Sequence, residues 1–311
     1  MLLFGASTYR SLLGGLLVAV AAAVLHGVAY GLFRGQQDMR RANLLQFTAV
    51  GALPVGVLLW DGLSVAESAY WIGTAWLVIA AVGVVVGLRR SSGGSSCEDL
   101  RHAVGELLRY GIPRIPGEFA LSGIFAIPVV VLAQRGGVEA AGHLGFGITL
   151  VSLAASGFAP LGLFVLPSIA TRFGAGDVSG VRRDVVRLLC LCLFLVVTGV
   201  AVIQGGVPFL VTVGLGAEFE AAVPVVRLAL LAAIPYVCYV VLRAVLDAAS
   251  AWPYNSKNLL ISLASFVVIV TLLPGATVVV FAMLLSVALL GVLSIVDAWR
   301  VLPRAPRSSR D

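Results

Sequence analysis

The sequence predicts an all-α fold, a polytopic transmembrane helical bundle of about nine spans arranged as two lobes. Three observations predict it. The chain of 311 residues is 60% hydrophobic and only 12% charged, with a mean hydropathy of +1.05; soluble domains hold about half their residues apolar and about a quarter charged. Its apolar runs reach the length of about 20 residues that a helix needs to cross a bilayer core. No short alternating strands of the kind that build a barrel interrupt them, and lipid forces uncharged backbone of this length into helices.

In chain order the spans are expected at residues 12–33, 44–60, 70–88, 107–133, 142–170, 185–202, 222–246, 259–273 and 276–296. The piece 207–215 is too short to cross alone. It reads as a re-entrant or interfacial segment, or as the end of the sixth span. The connections alternate in charge. Arg34, Arg40 and Arg41 follow the first span, Asp61 and Glu67 the second, and Arg89, Arg90, Arg101 and Arg109 the third. Arg135 and Glu139 nearly cancel after the fourth. Arg172, Arg182, Arg183 and Arg187 follow the fifth, and Glu218 and Glu220 the sixth. Lys257 follows the seventh, and the tail carries Arg300, Arg304, Arg307 and Arg310. Basic loops stay on the cytoplasmic side, so the pattern predicts a multi-pass protein of the cytoplasmic membrane with a cytoplasmic C-terminus. Nine spans then put the N-terminus outside, although "MLLFGASTYR" lacks the marks of a signal peptide.

The predicted organisation is a lobe of three helices over 1–88 and a Ser/Gly-rich cytoplasmic linker over 89–106. A lobe of six helices over 107–298 and a basic tail over 299–311 follow. The formal charge of +6 is topological, so no nucleic acid is expected as a partner. The four cysteines have no metal-binding spacing and read as reduced, packed thiols. No cofactor and no metal are expected. A weak internal echo joins the lobes. Tyr30, Arg34 and Asn43-Leu44-Leu45 are matched by Tyr239, Arg243 and Asn258-Leu259-Leu260, as a parallel repeat would give.

Several polar residues sit in or beside the spans. Arg114 and Glu118 are four apart and share a helical face, in a stretch with Pro113, Pro116 and Pro128. Either they form a pair facing a wet pathway, or Pro116 opens the helix and Arg114 snorkels to the interface. His26 lies beside Gly27-x-x-x-Gly31, a small-residue spacing that marks close helix packing. The histidine serves a proton or substrate role, or makes an interhelical hydrogen bond. Arg227 either lines a cavity or snorkels outward. Arg243 and Asp247 read as a local ion pair, and Asn43, Arg34 and Asn258 as interfacial caps.

Four stretches resemble polysaccharide flippases of the Wzx type, within the multidrug/oligosaccharidyl-lipid/polysaccharide exporter superfamily. They are "GLFRGQQDMRRANLL", "LLRYGIPRIPGEFALSG", "AAGHLGFGITLVSLAASGFAPLGLFVLPSIA" and "VGLGAEFEAAVPVVRLALLAAIPYVCYVVLRAVLDA". The resemblance aligns the nine spans with family helices four to twelve, which makes the N-terminal lobe incomplete. It implies a transporter that flips a lipid-linked oligosaccharide by alternating access, with that lipid and membrane lipids as partners and glycan-synthesis enzymes beside it. It implies a cationic lumen with Arg114 and Arg227 as phosphate contacts, Arg34 as a gate, and Glu118, His26 and Asp247 as titratable candidates. The competing readings are a multidrug exporter of the same superfamily, a membrane-embedded polymerase or glycosyltransferase, and an inactive relic. Short loops without paired carboxylates argue against an enzyme.

Overall fold

A computed structural model describes residues 10–60, 62–90, 97–158, 171–172, 178–214, 216–250 and 252–302. Among these residues the chain is helical throughout and contains no strand. Seven stretches are long and apolar enough to cross a membrane. Two features separate this number from nine. The 55 residues of 102–156 form one stretch, yet at 1.5 Å per residue they are more than twice as long as a bilayer core of about 30 Å. The second expected span is broken into short pieces.

The chain divides into two compact units, Met1–Leu100 and Arg101–Asp311. The division falls inside the polar stretch 89–106. Its Ser/Gly core, 91–96, lies outside the described residues, as do 159–170 at the end of the fifth expected span and 303–311 of the basic tail.

In the first unit α1 (Arg10–Gly35) packs along α4 (Val65–Arg90). Between them run α2 (Met39–Gln46), a π-helical turn (Phe47–Ala52) and α3 (Leu53–Leu58). Pro54 explains the break. It cannot donate to the carbonyl four residues back, so the preceding turn widens and the Leu53 N–H reaches Thr48 O instead. Asp38 caps α2, accepting from the Arg41 N–H at 3.2 Å, and its carboxylate pairs with Arg41 at 2.8 Å and Arg90 at 2.9 Å. The α1–α4 contact is made by small residues. A Cβ on Gly15 would stand 2.9 Å from Tyr70 N, and one on Gly73 3.0 Å from Gly15 O. The expected Gly27/Gly31 packing face is not used. Both glycines meet open space, and Gly15, Gly73, Gly83 and Gly87 make the close approaches instead.

In the second unit α5 (Cys97–Gly111) leads through a 3-10 turn (Ile112–Arg114) into α6 (Ile115–Ser156). Gly137, at φ 89°, breaks α6 in two. Ala120 and Ile124 share one apolar cluster with Val151 and Ala155, and Leu132 shares another with Leu144. Such pairing about Gly137 is that of an antiparallel hairpin. After it come α7 (Val178–Gly214), a 3-10 turn (Ala217–Ala222), α8 (Val223–Leu230), α9 (Ala233–Ala249), α10 (Tyr254–Leu272) and α11 (Ala276–Val301). The piece 207–215 is therefore the end of the sixth span, since α7 continues through Pro208 to Gly214. The most buried packing gathers α9, α10 and α11 against α6. The outward faces stay apolar, as on Phe194 and Leu272, which is what lipid requires.

Backbone atoms that cannot yield face the missing side chains of Gly15 and Gly73. Gly73→Val should lower first-unit stability by about 1–3 kcal/mol, the usual cost of overpacking, while Gly27→Ala and Gly31→Ala should leave it unchanged. Thermal unfolding of the purified protein in detergent checks the contrast.

Candidate functional site

The polar residues of the second unit meet where α6 begins and α9 ends. Pro116 occupies the first turn of α6, and Pro113 opens the 3-10 turn before it. There the missing N–H groups cost nothing. Arg114 is the N-cap residue and Glu118 lies in the first turn. Arg243 and Asp247, also four apart, project from the last turns of α9. The two helices pair crosswise. Arg114 Nε stands 3.6 Å from Asp247 Oδ1, and Arg243 bonds the Glu118 carboxylate. Arg243 Nε is also 4.0 Å from Asp247 Oδ2, the local pair expected from the sequence. The tetrad holds two guanidinium and two carboxylate groups, so its charges cancel. The helix ends add their own field. An acid at the start of α6 and a base at the end of α9 are both favoured by the peptide dipoles, and Asp247 is held against that field by Arg114.

The third wall is the start of α10. A Cβ on Gly117 would come within 2.6 Å of Ser256 Cα, so only glycine lets these backbones touch. Ser256 Oγ donates to Arg114 O at 3.3 Å, and Asn255 Nδ2 to Arg243 O at 3.1 Å. Arg114 Nη1 donates to Tyr110 O at 2.8 Å, with Cζ 3.5 Å from the ring centre of Tyr110. Farther along α9, Tyr239 stacks on Tyr236 at 6.0 Å, and Tyr236 meets Phe125 edge-on at 5.0 Å. Arg114 Nε and Nη2, Tyr239 Oη, Asn258 Oδ1 and Nδ2, and Ser262 Oγ are buried without a protein hydrogen-bond partner, so Arg114 and Asp247 meet as an ion pair without a hydrogen bond. Asn258, expected as an interfacial cap, is fully buried. A second pairing, unremarked in the sequence, joins Lys257 Nζ to Asp297 Oδ2 at 2.6 Å, with Arg300 at 3.5 Å from the other carboxylate oxygen.

Arg227 is not part of this cluster. It sits on α8 with its side chain exposed, and its Nε donates to Gln204 O at 3.3 Å while Gln204 Nε2 donates to Arg227 O at 2.8 Å. Both carbonyls are orphans. Pro208 lacks the N–H that would have served Gln204 O four residues earlier. The Leu231 N–H, due to Arg227 O, turns to Leu228 and Ala229 where α8 ends. Each residue's side chain fills the vacancy in the other's helix.

His26 and Arg34 lie in the first unit. His26 is buried and its Nε2 is 2.9 Å from Gln46 Oε1, a hydrogen bond from α1 to α2. Its ring stacks on Tyr30 at 6.2 Å and meets Trp76 edge-on at 5.7 Å. Arg34 is exposed, with its guanidinium 5.6 Å from the Tyr30 ring centre. The echo between the lobes therefore does not extend to environment, because its other arginine, Arg243, is in the tetrad. The tetrad had a signal in the sequence, the same four-residue spacing in two places. Nothing there matched one pair to the other.

Among the described residues no group of His, Cys, Asp and Glu could hold a metal ion, and Cys190, Cys192 and Cys238 are free thiols. These features define a class, the multi-pass helical membrane proteins. No protein-family model and no curated protein matches the chain. Among solved structures, the crystal structure of a proline-to-alanine mutant of a MATE protein aligns with a TM-score of 0.66 at 15% identity. The alignment covers 94% of this chain and 68% of that one, so the chain shares the MATE fold.

Arg114–Asp247 is the more enclosed arm of the tetrad, with side chains 16% and 24% exposed against 37% and 53% for Arg243–Glu118. Asp247→Asn should therefore cost more stability than Glu118→Gln, about 1–3 kcal/mol against less than about 1. Arg227→Ala should cost about 1 kcal/mol by reopening the Gln204 carbonyl. Unfolding midpoints of the three variants give the ranking.

Proposed function

We propose that this chain is a membrane transporter of the multidrug/oligosaccharidyl-lipid/polysaccharide exporter superfamily. Its cargo in this reading is a polyprenyl-linked oligosaccharide, moved across the cytoplasmic membrane for surface polysaccharide synthesis. The observation that carries the transporter reading is the MATE fold over 94% of the chain. The cargo reading rests on the four stretches that resemble Wzx-type flippases.

The geometry changes how such a cargo would be met. Free cations are not what the tetrad offers, because Arg114 and Arg243 already hold Asp247 and Glu118. A pyrophosphate would bind by exchange, taking an arginine from its carboxylate and keeping the charge-assisted bond. Arg114 Nη2 and Tyr239 Oη, lacking protein partners, are donors for the same head group. Arg227 acts as a helix clamp in this reading, and His26 as an interhelical tie.

The second reading, export of drugs, is favoured by two observations: the neighbouring fold is that of a MATE protein, and the tetrad's charges balance. Reconstitution into liposomes separates the readings. Translocation of a fluorescent lipid-linked oligosaccharide, slowed about tenfold or more by Arg114→Gln (about 1.4 kcal/mol of barrier) and unaffected by Arg227→Lys, supports the flippase. Efflux of a cationic dye with no movement of the sugar lipid supports the exporter, and cleavage of the sugar donor would make the protein an enzyme.

A further inference from the structure

We infer that α5 is an interfacial helix, lying in the headgroup layer with membrane lipid as the partner of its apolar face. Helical spacing separates its residues cleanly. Val104, Leu107 and Leu108 fall on one side, with His102, Glu106 and Arg109 on the other and Tyr110 on the flank next to Glu106. No protein covers the apolar side among the described residues: every residue of 102–110 is exposed, Leu107 at 69% and Leu108 at 53%. The helix is too polar overall to cross a membrane and too apolar on one side to stand in water.

Three features of the chain say that lipid covers it. First, α5 is tethered to a span. Three residues after Gly111 the chain enters α6, so the C-terminal end of the helix is held at the membrane surface. Second, the exposed apolar surface continues along the chain. Ile112, Ile115 and Phe119 are exposed in turn and lead from α5 into the lipid-facing flank of α6. Third, the turn between α9 and α10 brings Trp252 and Pro253 beside Leu107, Tyr110 and Pro113 around an open groove of about 1090 Å3. Trp252 is 63% exposed, and Trp and Tyr are enriched at the headgroup level. Glu106 and Arg109 line the same groove, giving the mixture of apolar and charged groups expected where lipid meets water.

The charge of α5 sets the kind of surface. Glu98, Asp99 and Glu106 outnumber Arg101 and Arg109, so attraction to anionic headgroups does not drive the contact. Burial of the apolar face does, and a zwitterionic bilayer suffices.

Nitroxide labels test this in the full chain, reconstituted in phosphatidylcholine bilayers, on single-cysteine variants Leu107→Cys, Leu108→Cys, Glu106→Cys and Arg109→Cys. Collision with oxygen and with a water-soluble nickel chelate reports depth. Labels at 107 and 108 should lie about 5–10 Å below the headgroups, with those at 106 and 109 in water and no change on adding anionic lipid. Equal nickel access at all four sites overturns the inference. So does protection of 107 and 108 from both reagents, which would place protein over them. If the background without native cysteines fails to fold, a benzophenone amino acid at 107 in the native chain decides the matter. Adducts with lipid support the interfacial helix, and adducts with protein alone overturn it.

Discussion

The constraint on which the rest of the structure depends is that a backbone in lipid must find every hydrogen bond within the protein. An intact helix meets it without help. This chain carries prolines and glycines inside its spans, and a break of this kind frees a backbone carbonyl. The observed answers are local and different in kind. Before Pro54 the helix widens by one residue, so that Leu53 N–H serves Thr48 O. At Pro208 and at the end of α8, Gln204 and Arg227 exchange side-chain bonds to each other's carbonyls. At the end of α10, Arg135 reaches from the hairpin turn of α6 to Val270 O and Leu273 O. Two arginines, Arg135 and Arg227, thus donate to backbone carbonyls of neighbouring helices.

The same economy governs the charged cluster. A lone guanidinium at the start of α6 would carry a heavy desolvation cost, and so would a lone carboxylate near the end of α9. Placing two pairs with equal spacing on facing helix ends lets each charge find its opposite, while Gly117 brings the α10 backbone close enough for Ser256 and Asn255 to bond the neighbouring carbonyls. The result is a polar region that is locally neutral and rich in hydrogen-bonding groups. Each guanidinium in it stands beside a carboxylate, so no bare charge is left among the helices.

Much of the helical plan was legible because hydropathy and length are properties of the chain itself. The first and third spans, and the last two, fall within a few residues of α1, α4, α10 and α11. The breaks were half legible. The prolines announced them, but whether a helix kinks, widens or stops depends on which donor lies nearby. The small-residue face was misread because Gly27-x-x-x-Gly31 satisfies the spacing for close packing while Gly15 and Gly73 have the partner. Spacing along one helix does not say which side a second helix approaches.

The sequence by itself determined that the protein is a bundle of membrane-spanning helices, since apolar runs without backbone partners have no other way to exist in lipid. It also determined that Arg114 and Glu118, and Arg243 and Asp247, share faces, because the helical repeat fixes that. Only the tertiary structure decided that the two pairs cross-bind, that Asn258 is interior rather than capping, and that Arg227 serves a carbonyl in α7. Those facts depend on contacts between residues far apart in the chain, and no local pattern encodes which distant group will arrive.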